Sequence, residues 1–382
     1  MLPASAPLDI RSDFDSGNIL VVDASDRHNV KLAIRPDSKS PHFQWFHFRV
    51  DHLVPGTAHR FELTNAGQSS YAHAWHGYNA VASYDGKEWF RIPSHYDGQA
   101  LSFTVAPEHP SMWFAYFEPY SRQRHADLLV RAQAAGFASL AVGHSVEGRE
   151  ITLLRMGCGG PGRRKLWLIA QQHPGEHMAE WFMEGVVDYL SSGNAEVSAL
   201  LAQADVHLVL NMNPDGAFNG HLRTNAHGQD LNRAWQQPSA ELTPEVHFVK
   251  QTMAEQGVDL FIDVHGDEAI PHVFTAACEG NPGYTPRLAA LEAQFRQLMC
   301  ERTADFQTAH GYPRSQPGKA NLNLACNAIG QRHDCLSLTL EMPFKDHDDA
   351  PNARTGWSAA RSAQLGRDML AVIGQMLGAL RE

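Results

Sequence analysis

The sequence predicts an α/β protein in two parts: an N-terminal antiparallel β-sandwich, residues 1–117, and a mixed-sheet α/β/α domain, residues 118–382. Three observations lead there. At 382 residues the chain is longer than one ordinary core takes. Its first third consists of short runs that alternate or are rich in β-branched and aromatic residues, parted by turn residues. Beyond Ser121, apolar runs of strand length alternate with stretches of helical periodicity, the pattern of a sheet buried between helix layers.

In the first part the expected strands are 18–22, 30–34, 43–50, 59–64, 101–105 and 112–117, with turns at 15–17, 55–56, 65–67 and 85–86. Trp45, Phe46, Trp75, Trp89 and Trp113 are expected to fill the core between the sheets. His73 and His76 stand three residues apart, but no carboxylate has matching spacing, so no metal is expected there.

In the second part, 122–135 reads as a helix and 140–155 as a hairpin turning at Glu147-Gly148. The glycine-rich stretch 157–162 is not followed by Gly-Lys-Ser/Thr and makes a poor phosphate loop. Strands are then expected at 166–170, 206–211, 258–264, 272–276 and 336–340, and helices at 178–191, 243–256, 286–305 and 357–380.

The bulk properties exclude several classes. A net charge of −11 offers no basic face to nucleic acid. No run approaches the roughly 18 apolar residues of a membrane span, and residues 1–10 do not read as a signal peptide. Five scattered cysteines without Cys-x-x-Cys spacing give neither a disulfide framework nor a thiolate metal site, so a cytoplasmic protein is expected.

The chemistry is expected at the carboxyl ends of the buried strands, where open α/β sheets form their sites. Run 166–170 leads into Gln171-Gln172-His173-Pro174-Gly175-Glu176-His177 and then a helix. On that turn His173 and Glu176, three residues apart, converge on one point. An imidazole and a carboxylate so placed are two-thirds of a catalytic zinc site. Run 258–264 delivers His265 to an equivalent exit, and His265 is the expected third ligand. Run 336–340 delivers Glu341, a carboxylate costly to bury unless something uses it. Beside a metal-activated water it takes the proton and hands it to a leaving amine. One connection carries Arg223, Asn232 and Arg233. Arg233 with Asn232 can grip a carboxylate through parallel hydrogen bonds, and Arg223 can meet an oxyanion.

Taken together, His173-Pro-Gly-Glu176, Arg223 nine residues before Asn232-Arg233, His265-Gly266 and the late Glu341 resemble a zinc metallocarboxypeptidase. With a β-sandwich ahead, Phe117-Glu-Pro-Tyr120 at the junction and the 143–149 motif, the chain is similar to the cytosolic carboxypeptidases. The resemblance implies a carboxypeptidase-type sheet and Zn2+ held by His173, Glu176 and His265. It implies that Arg223 steadies the oxyanion, that Asn232 and Arg233 hold the substrate's terminal carboxylate, and that Glu341 is the general base. Family members also place a tyrosine upstream of the base, for which Tyr312 is the candidate. Two positions depart from the family pattern. His177-Met-Ala-Glu180 is a second, overlapping His-x-x-Glu, and Asp267 stands where a histidine is common. Asp267 is expected to orient a ligand.

The implied function is hydrolysis of C-terminal residues from peptides or proteins. The cytosolic carboxypeptidases often remove acidic residues, including glutamates of tubulin tails. Such a preference needs a cation in the side-chain pocket, and Arg314, Lys319 and Arg332 are the candidates. Two alternatives stand beside this reading. One is an aspartoacylase-like deacylase of N-acyl amino acids, which shares the zinc core and a motif like 230–233. The other is a non-enzymatic binding protein. The expected partner is a peptide or protein C-terminus, without nucleic acid or membrane.

Overall fold

The computed structural model describes residues 7–381. Its first strands are β1 (Asp9–Arg11), β2 (Leu20–Asp23), β3 (Asn29–Ala33), β4 (His47–Asp51), β5 (His59–Leu63), β6 (Ala80–Ser83), β7 (Phe90–Ile92), β8 (Ser94–Tyr96), β9 (Leu101–Val105) and β10 (Ser111–Ala115). They form two five-stranded sheets, ordered β1-β4-β10-β6-β7 and β2-β3-β5-β9-β8. Every named pairing in them is antiparallel except β3 with β5. Alternation turns one side of each sheet inward. Phe48 and Phe114 of the first sheet meet Phe61 and Phe103 of the second at ring-centre distances of 5.1 to 6.1 Å. Trp45, Phe46, Trp75 and Trp89 are buried as expected, and Trp113 is half-buried. Strands β1, β6, β7 and β8 have three or four residues, too few for alternation to declare them in the sequence.

Beyond α1 (Arg122–Ala134) come β11 (Ala138–His144), β12 (Glu150–Met156), β13 (Arg164–Ala170), α2 (Met178–Ser191), α3 (Ala195–Gln203), β14 (Ala204–Val209), α4 (Pro214–Asn219), α5 (Pro244–Gln256), β15 (Leu260–Asp267), β16 (Phe274–Ala277), α6 (Pro286–Arg302), α7 (Ala325–His333), β17 (Leu336–Pro343) and α8 (Ala359–Met376). Their sheet is mixed and has seven strands, ordered β11-β12-β14-β13-β15-β17-β16. The middle four run parallel, and the flanking pairs are antiparallel.

Period-two alternation sorts the two faces. Leu166 and Leu168 join the core under α2, α3, α6 and α8, while Trp167 and Ile169 join the core under α5 and α7. Helices α2 and α8 lie backbone to backbone. A Cβ on Gly185 would sit 1.8 Å from the Ala363 carbonyl oxygen, and one on Gly366 would sit 2.3 Å from that of Phe182. The larger core continues from this layer into the sandwich, through Tyr116 stacked on Phe344 at 4.6 Å. From β13 the chain goes to β14 on one side and later returns to β15 on the other. The carboxyl ends of β13 and β15 therefore flank the point where strand order reverses, the place such sheets open a crevice. No helix among the described residues is long and apolar enough to cross a membrane.

Candidate active site

The turn after β13 is bent by Gln171, which takes φ +56, a left-handed conformation rare for a residue with a side chain. Its amide is tied down on both sides, donating to the Pro174 carbonyl at 3.0 Å and accepting from Asn211 at 2.7 Å. Gly175 permits a close approach: its N–H donates to the Leu222 carbonyl at 2.9 Å, where a Cβ would clash. The turn thereby places His173 and Glu176 against the loop that carries Arg223.

His265 lies within β15, in register with Glu341 of β17. Both strands run a few residues beyond the expected 264 and 340, so these two side chains stand on strands rather than after them. The ligand atoms of His173, Glu176 and His265 lie within 4.8 Å of one another, and all three residues are buried. His173 Nδ1 is 2.7 Å from one oxygen of Glu176, and His265 Nδ1 is 2.8 Å from the other. Behind the imidazoles, His173 Nε2 faces Asp230 at 3.1 Å and His265 Nε2 faces Asp263 at 2.8 Å. A neutral imidazole has one proton, and each spends it naturally on the carboxylate behind. Two bare nitrogens then face the Glu176 carboxylate, an assembly of acceptors that a divalent cation reconciles. The donor set thus fits zinc, with two histidines and one glutamate and an open side toward the cleft.

The orienting residues were not expected. Asp263 stands two before His265 on one strand, hence on the same face, a spacing legible in the sequence. Gln172 donates to Asp263 at 2.8 Å and accepts from Trp235 at 2.7 Å, which fixes the carboxylate in turn. Asp267, expected to orient a ligand, does something else. It accepts from the Tyr312 hydroxyl at 2.7 Å and from the backbone N–H of Ala269 and Ile270. The second His-x-x-Glu points away from the centre. His177 stacks on Trp45 at 4.2 Å and accepts from the Tyr120 N–H, while Glu180 pairs with His125.

A cleft of about 720 Å³ opens over the triad. Glu341 lines it, and its Oε2 is buried without a hydrogen-bond partner among the described residues. Burial pushes its carboxyl well up; His265 works against this and Glu176 adds to it. Tyr312 reaches Glu341 Oε1 with its hydroxyl at 3.1 Å, although 46 % of the residue is exposed on the loop after α6. Arg223 donates to Asp230 at 2.8 Å and to the Tyr71 hydroxyl at 2.5 Å. Asn232 accepts from the Ala325 N–H at 2.8 Å and lies 3.3 Å from His265 Nε2. Arg233 is half-exposed, with Nη1 on the Asn232 carbonyl and the rest of its fork open to the cleft.

The side-chain end of the cleft holds Arg314, paired with Glu292 at 2.9 Å. It also holds Arg296, which the sequence did not single out and which donates to the same Glu292 at 3.0 Å. Lys319 and Arg332 are exposed and do not line it. His73 borders the mouth, and neither it nor His76 belongs to a metal-capable group among the described residues.

Comparison with known proteins agrees with this layout. Residues 10–117 match the cytosolic carboxypeptidase N-terminal domain, and residues 129–344 match the zinc carboxypeptidase family. A solved metallo-carboxypeptidase from Pseudomonas aeruginosa, in complex with (2-guanidinoethylmercapto)succinic acid, is 61% identical and superposes with TM-score 0.96 over 98% of this chain and 100% of that one. An uncharacterized protein of Zymomonas mobilis is 46% identical over 98% of this chain and 97% of its own length. Human cytosolic carboxypeptidase 1 is 28% identical over 71% of this chain, which spans only 26% of that longer protein.

Proposed function

Because the chain belongs to the zinc carboxypeptidase family and carries the N-terminal domain of the cytosolic carboxypeptidases, we propose that it hydrolyses the last peptide bond of peptides or proteins in this cleft. His173, Glu176 and His265 would hold zinc, and an acidic terminal residue is preferred. The supporting observation is the meeting of three buried donors, their acceptor atoms turned inward, beside a buried carboxylate oxygen with no partner. A zinc ion there would acidify a water to a pKa near ~7 and polarise the carbonyl under attack.

The chain's own groups do the rest. Arg233, with most of its fork free, holds the terminal carboxylate, and Asn232 shapes the same subsite. Glu341 Oε2 takes the proton of the attacking water and returns it to the leaving amine. Arg223 meets the carbonyl oxygen as charge develops there. Tyr312 covers the leaving group from its loop. Arg314 and Arg296 line the cleft and converge on Glu292, and these guanidinium groups are the cations an acidic side chain would meet. The ligand named with the Pseudomonas relative carries two carboxylates, which supports a carboxylate-binding cleft here. The domain match at 10–117 favours a peptidase over the N-acyl amino acid deacylase. All five cysteines are free, in keeping with a reducing cytoplasm.

The test is a panel of peptides that differ only in the last residue, cleaved by the native protein and by Glu341→Gln with metal content measured. Glutamate should lead the panel, and Glu341→Gln should keep its metal while losing about 10²–10⁴-fold in turnover. A lead for Lys or Phe removes the acidic preference; undiminished turnover removes Glu341 from the mechanism.

A further inference from the structure

Arg223 lies on the connection between α4 and the turn at Leu231–Arg233, a stretch without helix or strand. A guanidinium that stabilises developing charge must be held before the charge appears, since reorganisation at that moment cancels the gain. From its own part of the chain it has one ion pair, Asp230. The rest of its support comes from the N-terminal sandwich, at both ends of the residue.

At the main chain, buried Asp37 accepts from the N–H groups of Leu222 at 2.6 Å, Arg223 at 2.9 Å and Thr224 at 2.9 Å, and from the Thr224 hydroxyl at 3.0 Å. Such charge-assisted bonds to three consecutive N–H groups fix the loop firmly. At the side chain, Arg223 Nη1 donates to the Tyr71 hydroxyl at 2.5 Å, with the guanidinium 5.8 Å from the ring centre. Tyr71 is itself held. The wholly buried Gln44 accepts from its N–H at 2.8 Å and donates to its carbonyl at 3.4 Å. Burial, and next the Glu268 carboxylate, push the Tyr71 phenol up, so it remains a neutral hydroxyl. A purely structural interface would need no contact with the end of a cleft-lining arginine.

We propose that Tyr71 and Asp37 are positioning residues for hydrolysis: through them the sandwich holds Arg223 in the pose that receives the carbonyl oxygen. The sandwich is then a working wall of the active site. This rests on the role assigned above to Arg223.

The experiment is a double-mutant cycle on the full-length, metal-loaded protein, with kcat and KM read separately. Losing an oxyanion donor costs about 10²–10³-fold in kcat, and Arg223→Gln should show that. Tyr71→Phe removes one oxygen and keeps the ring, so it should lower kcat about tenfold, a fraction of that donor effect, with KM nearly constant. In the Arg223→Gln background the same change should cost nothing further, because Tyr71 acts through the missing guanidinium. Asp37→Asn should follow the same pattern, with metal content and melting temperature recorded. If Tyr71→Phe leaves kcat at the native value, or costs the same tenfold without Arg223, the inference is overturned while the role of Arg223 stands. If Arg223→Gln keeps native kcat, both fall.

Discussion

His173, Glu176 and His265 on one hand, and His272, His347 and Asp349 on the other, each bring three ligand atoms within 4.8 Å. Residue type and distance do not separate them; the direction of the free nitrogens does. In the first group both imidazoles have a carboxylate behind, Asp230 and Asp263, and turn their inner nitrogens on Glu176. In the second, His347 donates from Nε2 to the Asp305 carbonyl at 2.7 Å and accepts at Nδ1 from the Asp349 N–H at 3.2 Å. His272 spends its Nδ1 on Asp349 at 3.1 Å and stacks on His310. That group is already held by ordinary hydrogen bonds, one of them to the Asp349 carboxylate, whereas the first leaves acceptors facing acceptors. A metal centre is recognised by what remains unsatisfied once ordinary hydrogen bonds are assigned.

The most forceful way to break this comparison is to remove a ligand. Glu176→Gln should abolish stoichiometric metal binding and reduce peptide hydrolysis to background, because an amide supplies neither the charge nor the second oxygen. Metal analysis by mass spectrometry after dialysis checks it, and a variant that retains one tight ion per chain would move the site elsewhere. A smaller effect sharpens the same point. Asp263→Asn keeps the shape but replaces the acceptor behind His265, and metal affinity should weaken by about 10–100-fold. A competition titration against a chelator reads that shift; native affinity would mean that Asp263 does not set the direction of His265.

Sequence and structure agree best where a side chain follows directly from a strand. His173, His265 and Glu341 could be placed from three apolar runs alone, since each run fixes where its last residues emerge. The sheet between helix layers followed from the same periodicity, and its mixed strand directions from the family resemblance. What escaped was either short or distant. Strands of three residues carry no pattern, and α7 begins at Ala325 without a side-chain cap to announce it. Tyr71 and Asp37 reach Arg223 across 152 and 186 residues, and no local pattern encodes such a meeting. Asp267 also stands two residues from His265 on β15 and so shares its face, but its carboxylate is taken by the Tyr312 hydroxyl and by the N–H groups of Ala269 and Ile270 rather than by an imidazole. Asp263, two residues to the other side of His265, is the carboxylate that meets its Nε2.

The mildest prediction concerns the second group. His347 is fully buried, bonded to Asp305 and Asp349 and packed near Trp357 at 5.9 Å. If its place in the molecule is structural, His347→Ala should leave one metal per chain and unchanged kcat/KM. It should cost stability, on the order of 1–3 kcal/mol, because the Asp305 carbonyl and the Asp349 N–H lose their partner. Thermal melting measures the loss while metal analysis on the same sample measures the ion. A native protein with two ions, falling to one in the variant while His173, Glu176 and His265 keep theirs, would show that the nitrogens assigned to hydrogen bonds are instead ligands. The rule drawn from the two groups would then fail at its weaker member, since His347 would have exchanged two neutral bonds for a cation that its neighbours gave no sign of needing.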